Sequence, residues 1–314
     1  MSSRALGFFF AALGAVLFAS KAIVAKFTYR YGIDAVTLIT FRMLFAFPLF
    51  ALVALWETRK ARLKNAAPID AKTALQIVAL GLIGYWISSL LDFIGLQYIS
   101  AGLERSILFL SPTFVLMISA WWFRRKISRL QWVSLALAYT GVIVIFLQDI
   151  QFGGERVVFG SLCVLGAAFT YAWYLMGSGE LVQKIGSTRL VSYMMCVSCV
   201  VVVTQFFLTH DAQMLVQPRG VYLWSVVHAV MNTLIPVFLV MWSVERLGAP
   251  LSAQISMIGP VALLFMAAAF LDEPLTWAHL AGTALVIGGM LLLSRVPAPQ
   301  KRSSPASEEA GEHA

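Results

Sequence analysis

Charged residues are scarce in this chain of 314 residues. Asp, Glu, Lys and Arg together make up 12% of it, whereas 60% of the residues are hydrophobic and the mean hydropathy is +0.83. Soluble domains usually contain about 25% charged and about 45–50% apolar residues. The composition therefore excludes a soluble globular fold.

Cysteine and enzyme motifs are also rare or absent in the sequence. The three cysteines, Cys163, Cys196 and Cys199, lie within apolar runs that offer no further metal ligands, so we interpret them as buried apolar residues. The chain has neither an HExxH nor a GxSxG motif, and His210-Asp211 is a lone polar pair in a loop. We expect no metal, no cofactor and no enzymatic activity.

What the sequence does contain is ten apolar runs of about twenty residues, the length that a helix needs to cross a ~30 Å hydrocarbon core. The runs are too long and too continuously apolar for the alternating strands of a membrane barrel. We therefore predict an all-α integral membrane protein with ten transmembrane helices. The predicted spans cover residues 5–25, 36–55, 73–94, 99–122, 131–148, 157–176, 190–209, 221–243, 251–271 and 277–294.

Lys and Arg are distributed unevenly between the two sides of these spans. Most of the 23 basic residues lie in loops on one side, and the loops on the other side contain only Lys26, Arg30, Arg156 and Arg219. The positive-inside rule then predicts a multi-pass protein of the cell (inner) membrane with cytoplasmic N- and C-termini. The net charge of +8 reflects this topology, and we expect no nucleic-acid partner.

The chain contains an internal repeat. Residues 104–141 align without gaps to residues 252–289, and this alignment matches Pro112 with Pro260 and Gly141 with Gly289. Each repeat contains five helices, which is an odd number, so the second copy must cross the membrane in the inverted orientation. We predict a first repeat over 1–150, a second over 151–296, and a disordered cytoplasmic tail over 297–314.

Several short motifs follow one another in a characteristic order along the two copies. They are Arg42 in the second span, Pro112 and Pro260 in spans four and nine, the acidic turn that contains Glu273, and the following glycines Gly282 and Gly289. In this order the chain resembles the drug/metabolite transporter superfamily, EamA type. The turn after span four differs from the family pattern, because Arg124-Arg125-Lys126 replace the acid. The resemblance implies ten helices around a cavity lined mainly by spans one, three, four, six, eight and nine. It also implies transport of small organic metabolites, often outward.

Five ionisable residues lie at membrane depth, all in the outer third of their spans. They are Lys21, Arg42, Asp92, Glu104 and Arg105. Such residues are costly in a bilayer, so they are a functional-site hypothesis by default. Three bases and two acids leave one positive charge in excess, which favours a substrate that brings a carboxylate. Glu104 and Arg105 point about 100° apart on a helix, so we expect one of them to pack structurally.

Polar and aromatic residues of other spans complete the predicted substrate and ion pathway. Of these, His228 titrates near neutral pH if unperturbed and suits proton coupling, although it could instead simply hydrogen-bond to a neighbouring helix. The remaining pathway candidates are Tyr85, Trp86, Ser88, Tyr171, Tyr174, Asn232 and Gln254.

These observations predict a secondary active transporter that works by alternating access. We expect it to export an amino acid or another carboxylate-bearing metabolite, coupled to protons through Asp92 or Glu104, as a monomer or homodimer surrounded by membrane lipid. Two alternatives stay open at this point. One is an integral-membrane enzyme, and the other is a structural membrane protein whose intramembrane charges form only a salt-bridge network.

Overall fold

The computed structural model describes residues 3–65, 67–122, 127–153, 155–247 and 249–295. Among these residues ten helices are long and apolar enough to cross a membrane, which confirms the predicted fold class. They are α1 (Arg4–Tyr29), α2 (Ala35–Leu63), α3 (Ala71–Leu96), α4 (Ala101–Trp122), α5 (Arg129–Gln151), α6 (Arg156–Ile185), α7 (Ser187–Thr209), α8 (Arg219–Val240), α9 (Gln254–Leu271) and α10 (Trp277–Ser294). The basic turn 124–126 and the tail 297–314 lie outside the described residues.

Two helices extend well beyond their predicted ends. Helix α2 continues from residue 55 to Leu63, and α6 continues from residue 176 to Ile185. The prediction ended both helices where the apolar run ended. The added residues of α2 nevertheless include Lys, Arg, Ala and Leu, and those of α6 include Glu, Leu, Gln and Lys after two glycines. These residue types favour helix in water, so both helices continue past the apolar core. The expected connector over residues 56–72 is correspondingly shorter.

Helices α4 and α9 are interrupted just before their prolines. In α4 the helix stops at Leu108 and resumes at Ser111, and in α9 it stops at Ser256 and resumes at Ile258. Proline lacks an N–H group and its ring clashes with the carbonyl one turn earlier, so Pro112 and Pro260 account for both interruptions. Two equivalent helices of the repeat are therefore discontinuous.

Helices α3 and α8 each contain a π-helical turn. The turn covers Leu82–Ile87 in α3 and Val230–Leu234 in α8, and an α-helical segment of 11 residues precedes it in both. The alignment that matches Pro112 with Pro260 also matches Leu82 with Val230. The widened turns thus occupy equivalent positions in the two repeats, and such turns are frequent at functional sites.

Helix packing follows the repeat symmetry. The most extensive contacts join α2 to α7, α5 to α10, α1 to α8 and α3 to α6, and α4 also contacts α9. Each of these pairs takes one helix from each repeat. Helices α1 to α5 of the first repeat correspond in order to α6 to α10 of the second. Exchanging every helix for its counterpart turns the pair α1–α8 into α6–α3 and leaves the set of pairs unchanged. This pattern fits two inverted five-helix repeats that pack against each other.

Glycine allows α5 and α10 to approach closely. A Cβ atom on Gly282 would lie 2.6 Å from the carbonyl oxygen of Gly141, and one on Gly289 would lie 2.7 Å from the carbonyl oxygen of Ser134. Small residues at a helix interface permit such backbone contact in membranes. We call the end of the bundle where α1 begins and α10 ends the terminal side, and the opposite end the distal side.

Candidate functional site

A cavity of about 500 Å³ lies at the centre of the bundle. It extends from Ser187, at the start of α7 on the terminal side, to Lys21, Arg42 and Asp92 deeper in the bundle. Residues of α1, α3, α4, α6, α8 and α9 line it, as the resemblance implied. Helices α2 and α7 also contribute, because Arg42 and Met195 reach the same space.

Helix α1 is broken at Ser20, beside the cavity. The side-chain amide of Asn232 donates hydrogen bonds to the Leu17 carbonyl (2.7 Å) and to the Ser20 hydroxyl (2.6 Å). Arg105 Nη2 donates to the Phe18 carbonyl at 2.9 Å. Side chains from α8 and α4 therefore bind the backbone of α1 at its break, and Asn232 acts there instead of lining the cavity.

Four of the five predicted charged residues form a buried ionic cluster directly after this break. Lys21 Nζ forms an ion pair with Asp92 Oδ2 and lies 3.1 Å from Glu104 Oε1. Arg105 Nε lies 4.0 Å from Glu104 Oε2. Two cations and two carboxylates balance in this cluster, so each charge has a partner.

The two carboxylates of the cluster differ in their access to the cavity. Glu104 is 0% exposed, whereas Asp92 lines the cavity wall. Arg105 also lines the cavity, so the adjacent residues Glu104 and Arg105 diverge in the way that helical geometry requires. Asp92 is therefore the carboxylate that a proton entering the cavity would meet first.

Arg42 stands apart from the ionic cluster. No carboxylate of the described residues lies within 4.0 Å of its guanidinium, although the residue is only 7% exposed. Its Nε donates a hydrogen bond to Thr233 Oγ1 at 3.0 Å. Its terminal groups, Nη1 and Nη2, have no hydrogen-bond partner in the part of the chain that the structure describes. Of the five charged residues, Arg42 is thus the one that lies in the cavity wall without an ion pair within 4.0 Å.

The fully buried ring of Phe93 lies close to two cationic groups and to His228. Its centre is 5.5 Å from Lys21 Nζ, 5.4 Å from Arg42 Cζ and 5.3 Å from the His228 ring. Both distances to the cations suit cation–π attraction. His228 is 1% exposed, is not in the cavity wall, and neither of its ring nitrogens has a partner among the described residues.

Tyrosine side chains of α3 and α6 form another part of the site. The hydroxyls of Tyr85 and Tyr174 lie 3.0 Å apart, and the rings of Tyr171 and Tyr174 are 5.4 Å apart. Tyr85 and Tyr171 line the cavity. Ser88 also lines it, and its hydroxyl donates to the Ala167 carbonyl at 3.0 Å, which fixes α3 against α6.

Two further predicted pathway residues, Trp86 and Gln254, do not line the cavity, and the same holds for Glu104, Tyr174, His228 and Asn232. Trp86 follows Tyr85 but points towards α7, where its indole Nε1 donates to Gln205 Oε1 at 2.6 Å. Successive side chains on a helix point in different directions, so both could not face the cavity. Gln254 is exposed on the surface, and Ser256 of the same helix lines the cavity instead.

Glu273 closes the distal side of the bundle. Its carboxylate lies 3.2 Å from Lys26 Nζ of α1 and accepts hydrogen bonds of 3.1 Å from the backbone N–H of Ala101, at the start of α4. A carboxylate at a helix N-terminus is favourable because it accepts unpaired N–H groups and meets the positive end of the helix dipole. The predicted motif residue thus joins α1, α4 and the turn before α10.

A second carboxylate binds the start of α4 on the same side. Asp149 Oδ2 accepts a hydrogen bond from the Ser100 N–H at 3.1 Å, and Asp149 Oδ1 lies 3.2 Å from His279 Nε2. Both Asp149 and His279 are buried. Neither residue is among the predicted site residues, because each lies near the predicted end of its span, where polar residues are common.

On the terminal side the closing contacts are weaker. Asp70, just before α3, lies 2.9 Å from Lys184 Nζ of α6. The Thr73 hydroxyl and then the Lys184 ammonium lower the pKa of Asp70 below its usual range. Both partners are more than half exposed, and such surface pairs stabilise little. The cavity therefore extends to the terminal side and is sealed on the distal side.

Inverted five-helix repeats, discontinuous helices and a central cavity lined by charged side chains are together typical of transporters. The chain belongs to the EamA-like transporter family, whose model matches residues 5–147 and 158–295. The two matched segments correspond to the two repeats of the fold.

Curated relatives are also described as transporters. "Uncharacterized transporter YcbK" from Bacillus subtilis is 33% identical over 301 residues, which cover 91% of this chain and 93% of the relative. An "Uncharacterized transporter" from Archaeoglobus fulgidus is 24% identical over 270 residues, 86% of this chain and 92% of the relative. A solved structure described as "Crystal structure of protein" has a TM-score of 0.62 at 14% identity, covers 95% of this chain and 99% of that chain, and supports the fold alone.

Proposed function

We propose that this transporter exports a small organic metabolite that bears a carboxylate, such as an amino acid or another organic acid, in exchange for protons. The observation that carries the proposal is the Arg42 guanidinium, which lines the cavity without a carboxylate partner among the described residues. An unpaired buried cation is costly. A substrate carboxylate would supply two acceptors to its free Nη groups in a charge-assisted, bidentate contact.

The remainder of the cavity wall supports a substrate with a less polar end. Tyr85 and Tyr171 present aromatic surface, and Phe18 and Phe109 add apolar surface from α1 and α4. Ligand sites commonly combine such a mainly apolar wall with a few polar groups that set orientation. In this proposal Arg42 binds the carboxylate and the aromatic residues contact the rest of the metabolite.

Proton coupling is assigned to Asp92. Asp92 lines the cavity, whereas Glu104 is sealed from it. Lys21 contacts both carboxylates, so protonation of Asp92 would leave Lys21 paired with Glu104. When Asp92 accepts a proton, Lys21 and Arg105 therefore both keep a contact with Glu104, which supports Asp92 as the coupling residue.

Alternating access follows from the placement of the closing contacts. With both termini cytoplasmic, as the positive-inside rule predicts, the terminal side faces the cytoplasm and the described conformation faces inward. Export then requires the Lys26–Glu273 contact to open and the repeats, 1–150 and 151–296, to move relative to each other. In this proposal the protein lies in the cell inner membrane and works as a carrier without chemical change to its substrate.

The proposal is tested by counterflow in proteoliposomes with radiolabelled amino acids and organic acids chosen from a metabolite comparison of cells with and without the protein. Arg42→Met should lower carboxylate counterflow at least tenfold, because hydrogen bonds to charged groups contribute about 1.5–3 kcal/mol. Arg30→Met removes an exposed cation outside the cavity and serves as the matched control. Wild-type counterflow by Arg42→Met, together with transport of lipophilic cations, would overturn the proposal.

A further inference from the structure

We infer that Thr233 is a positioning residue that orients the Arg42 guanidinium for end-on, bidentate capture of one carboxylate. This inference rests on the proposed function and adds a residue that nothing in the sequence motifs marks. Its basis is a chain of hydrogen bonds between α2 and α8 that ends at the cavity wall.

The chain of hydrogen bonds has two steps. Arg42 Nε donates to Thr233 Oγ1 at 3.0 Å, and Thr233 Oγ1 donates to the His228 carbonyl at 3.0 Å. All three residues are buried. A hydroxyl has a single hydrogen to donate. Because that hydrogen is committed to the carbonyl, a lone pair of Thr233 is left facing the Arg42 Nε–H.

The π-helical turn of α8 makes this arrangement possible. In a regular helix a threonine hydroxyl reaches the carbonyl three or four residues earlier. Thr233 instead reaches His228, five residues earlier, across the widened turn Val230–Leu234. Without the π turn, the Thr233 hydroxyl would meet a different carbonyl and its lone pairs would point elsewhere. The widened turn therefore places the acceptor where α2 presents Arg42.

The contact at Nε determines which edge of the guanidinium is free. Arginine has five N–H groups in one plane, and those at Nη1 and Nη2 form a fork that matches both oxygens of a carboxylate. With Nε held by Thr233 and the Phe93 ring 5.4 Å from Cζ, the guanidinium has little freedom to rotate. The Nη1 and Nη2 groups therefore remain free to bind a carboxylate in the cavity.

The repeat symmetry places a hydroxyl at the equivalent position of the first repeat. The alignment that matches Leu82 with Val230 also matches Tyr85 with Thr233, and both residues line the cavity. Tyr85 bonds to Tyr174 of α6, whereas Thr233 bonds to Arg42 of α2. One repeat thus uses this position for an aromatic wall, and the other uses it to hold the anion-binding group.

The test compares Thr233→Val, which removes the hydroxyl at nearly constant shape, with Thr233→Ser, which keeps it. In proteoliposome counterflow Thr233→Val should raise the KM for a carboxylate substrate about tenfold with little change in Vmax per reconstituted carrier. Thr233→Ser should stay within about twofold of wild type, because its hydroxyl can make both hydrogen bonds. If Thr233→Val does not reach the membrane, Thr233→Cys is measured in its place, since a thiol is a weak donor and acceptor.

A double variant separates orientation from a general packing effect. Lysine has three rotatable Nζ–H donors and no planar fork for Thr233 to orient, so Arg42→Lys/Thr233→Val should raise the KM over Arg42→Lys alone by far less than the tenfold expected beside Arg42. A further tenfold rise in the double variant would overturn the inference. A wild-type KM for Thr233→Val, in a carrier that Arg42→Met inactivates, would also overturn it while leaving the proposed function intact. Unchanged transport by Arg42→Met would instead contradict the proposed function itself.

Discussion

Lys21 pairs with two carboxylates at once, whereas Arg105 pairs only with Glu104, so the two negative charges of the cluster are not equivalent. A buried ion pair gains little net stability over apolar residues, but breaking it by removing one partner destabilises strongly. Asp92 and Glu104 share the same cation and differ in their access to the cavity. Their neutral substitutions should therefore have different effects.

Asp92→Asn should abolish pH-driven substrate accumulation while substrate exchange persists, because the carboxylate of the cavity wall is lost and Lys21 keeps Glu104. Glu104→Gln should mainly destabilise the protein, by about 3–5 kcal/mol, because Lys21 and Arg105 lose a fully buried partner. Accumulation under a pH gradient and thermal unfolding in detergent are the two measurements. Identical behaviour of both variants would contradict the distinction.

The sequence identified the five charged residues because each is anomalous in an apolar span. It also indicated one surplus positive charge, but the assignment to Arg42 required interatomic distances. Thr233 and Phe93 were missed, since threonine and phenylalanine are ordinary residues in a membrane helix. Trp86 was expected in the pathway from its depth alone. It lies within the π turn of α3, where a helical wheel drawn at 100° per residue no longer gives the correct side-chain direction.

At the scale of helices, the contact of α5 with α10 depends on glycine. Gly282→Ala should lower the stability of the detergent-solubilised protein by about 1–3 kcal/mol, because the new Cβ would meet the Gly141 carbonyl oxygen. Gly288→Ala is the matched control, since nothing lies within 4 Å of a Cβ there. It should be neutral or slightly stabilising, because alanine is the better helix former. Equal loss of thermal stability in both variants would argue against backbone contact.

The Glu273 contacts should set how often the distal side opens. Glu273→Gln keeps an acceptor for the Ala101 N–H but removes the charge that pairs with Lys26. A partly exposed pair contributes up to about 1 kcal/mol, so distal opening should increase by up to about fivefold. The measurement is the labelling rate of Ala25→Cys by an impermeant maleimide, in a background without native cysteines. Asp272→Asn, an exposed acid in the same turn, should leave the rate unchanged, and a rise there as well would point to a nonspecific loss of charge.

At the scale of the whole molecule, ten crossings place both ends of the bundle on one side, and the positive-inside rule predicts that this side is cytoplasmic. A fluorescent-protein fusion after Ser294 should be fluorescent, and an alkaline phosphatase fusion there should be inactive. Fusions after His210, in the loop between α7 and α8, should give the opposite pattern. Active phosphatase after Ser294 would reverse the orientation and with it the direction in which the cavity opens.

The number of helices and the repeat were predictable from hydropathy and from one gapless alignment. The helix ends at Leu63 and Ile185 were not predictable, because hydropathy identifies the part of a helix in lipid and does not show whether the helix continues into water. The packing of α1 against α8 and of α3 against α6 could not be predicted from the sequence either. Apolar residues that face lipid and apolar residues that face protein are of the same types.

The matched π turns of α3 and α8 also fix the direction of every side chain that follows them in their helices. Each residue of a helix turns the chain by about 100°, so deleting one residue from either turn would rotate all later side chains relative to the earlier ones by that angle. Asp92 follows the turn in α3 and Pro236 follows it in α8, and both line the cavity. A single deletion in either turn would therefore change one half of the cavity wall and leave the other half as it is.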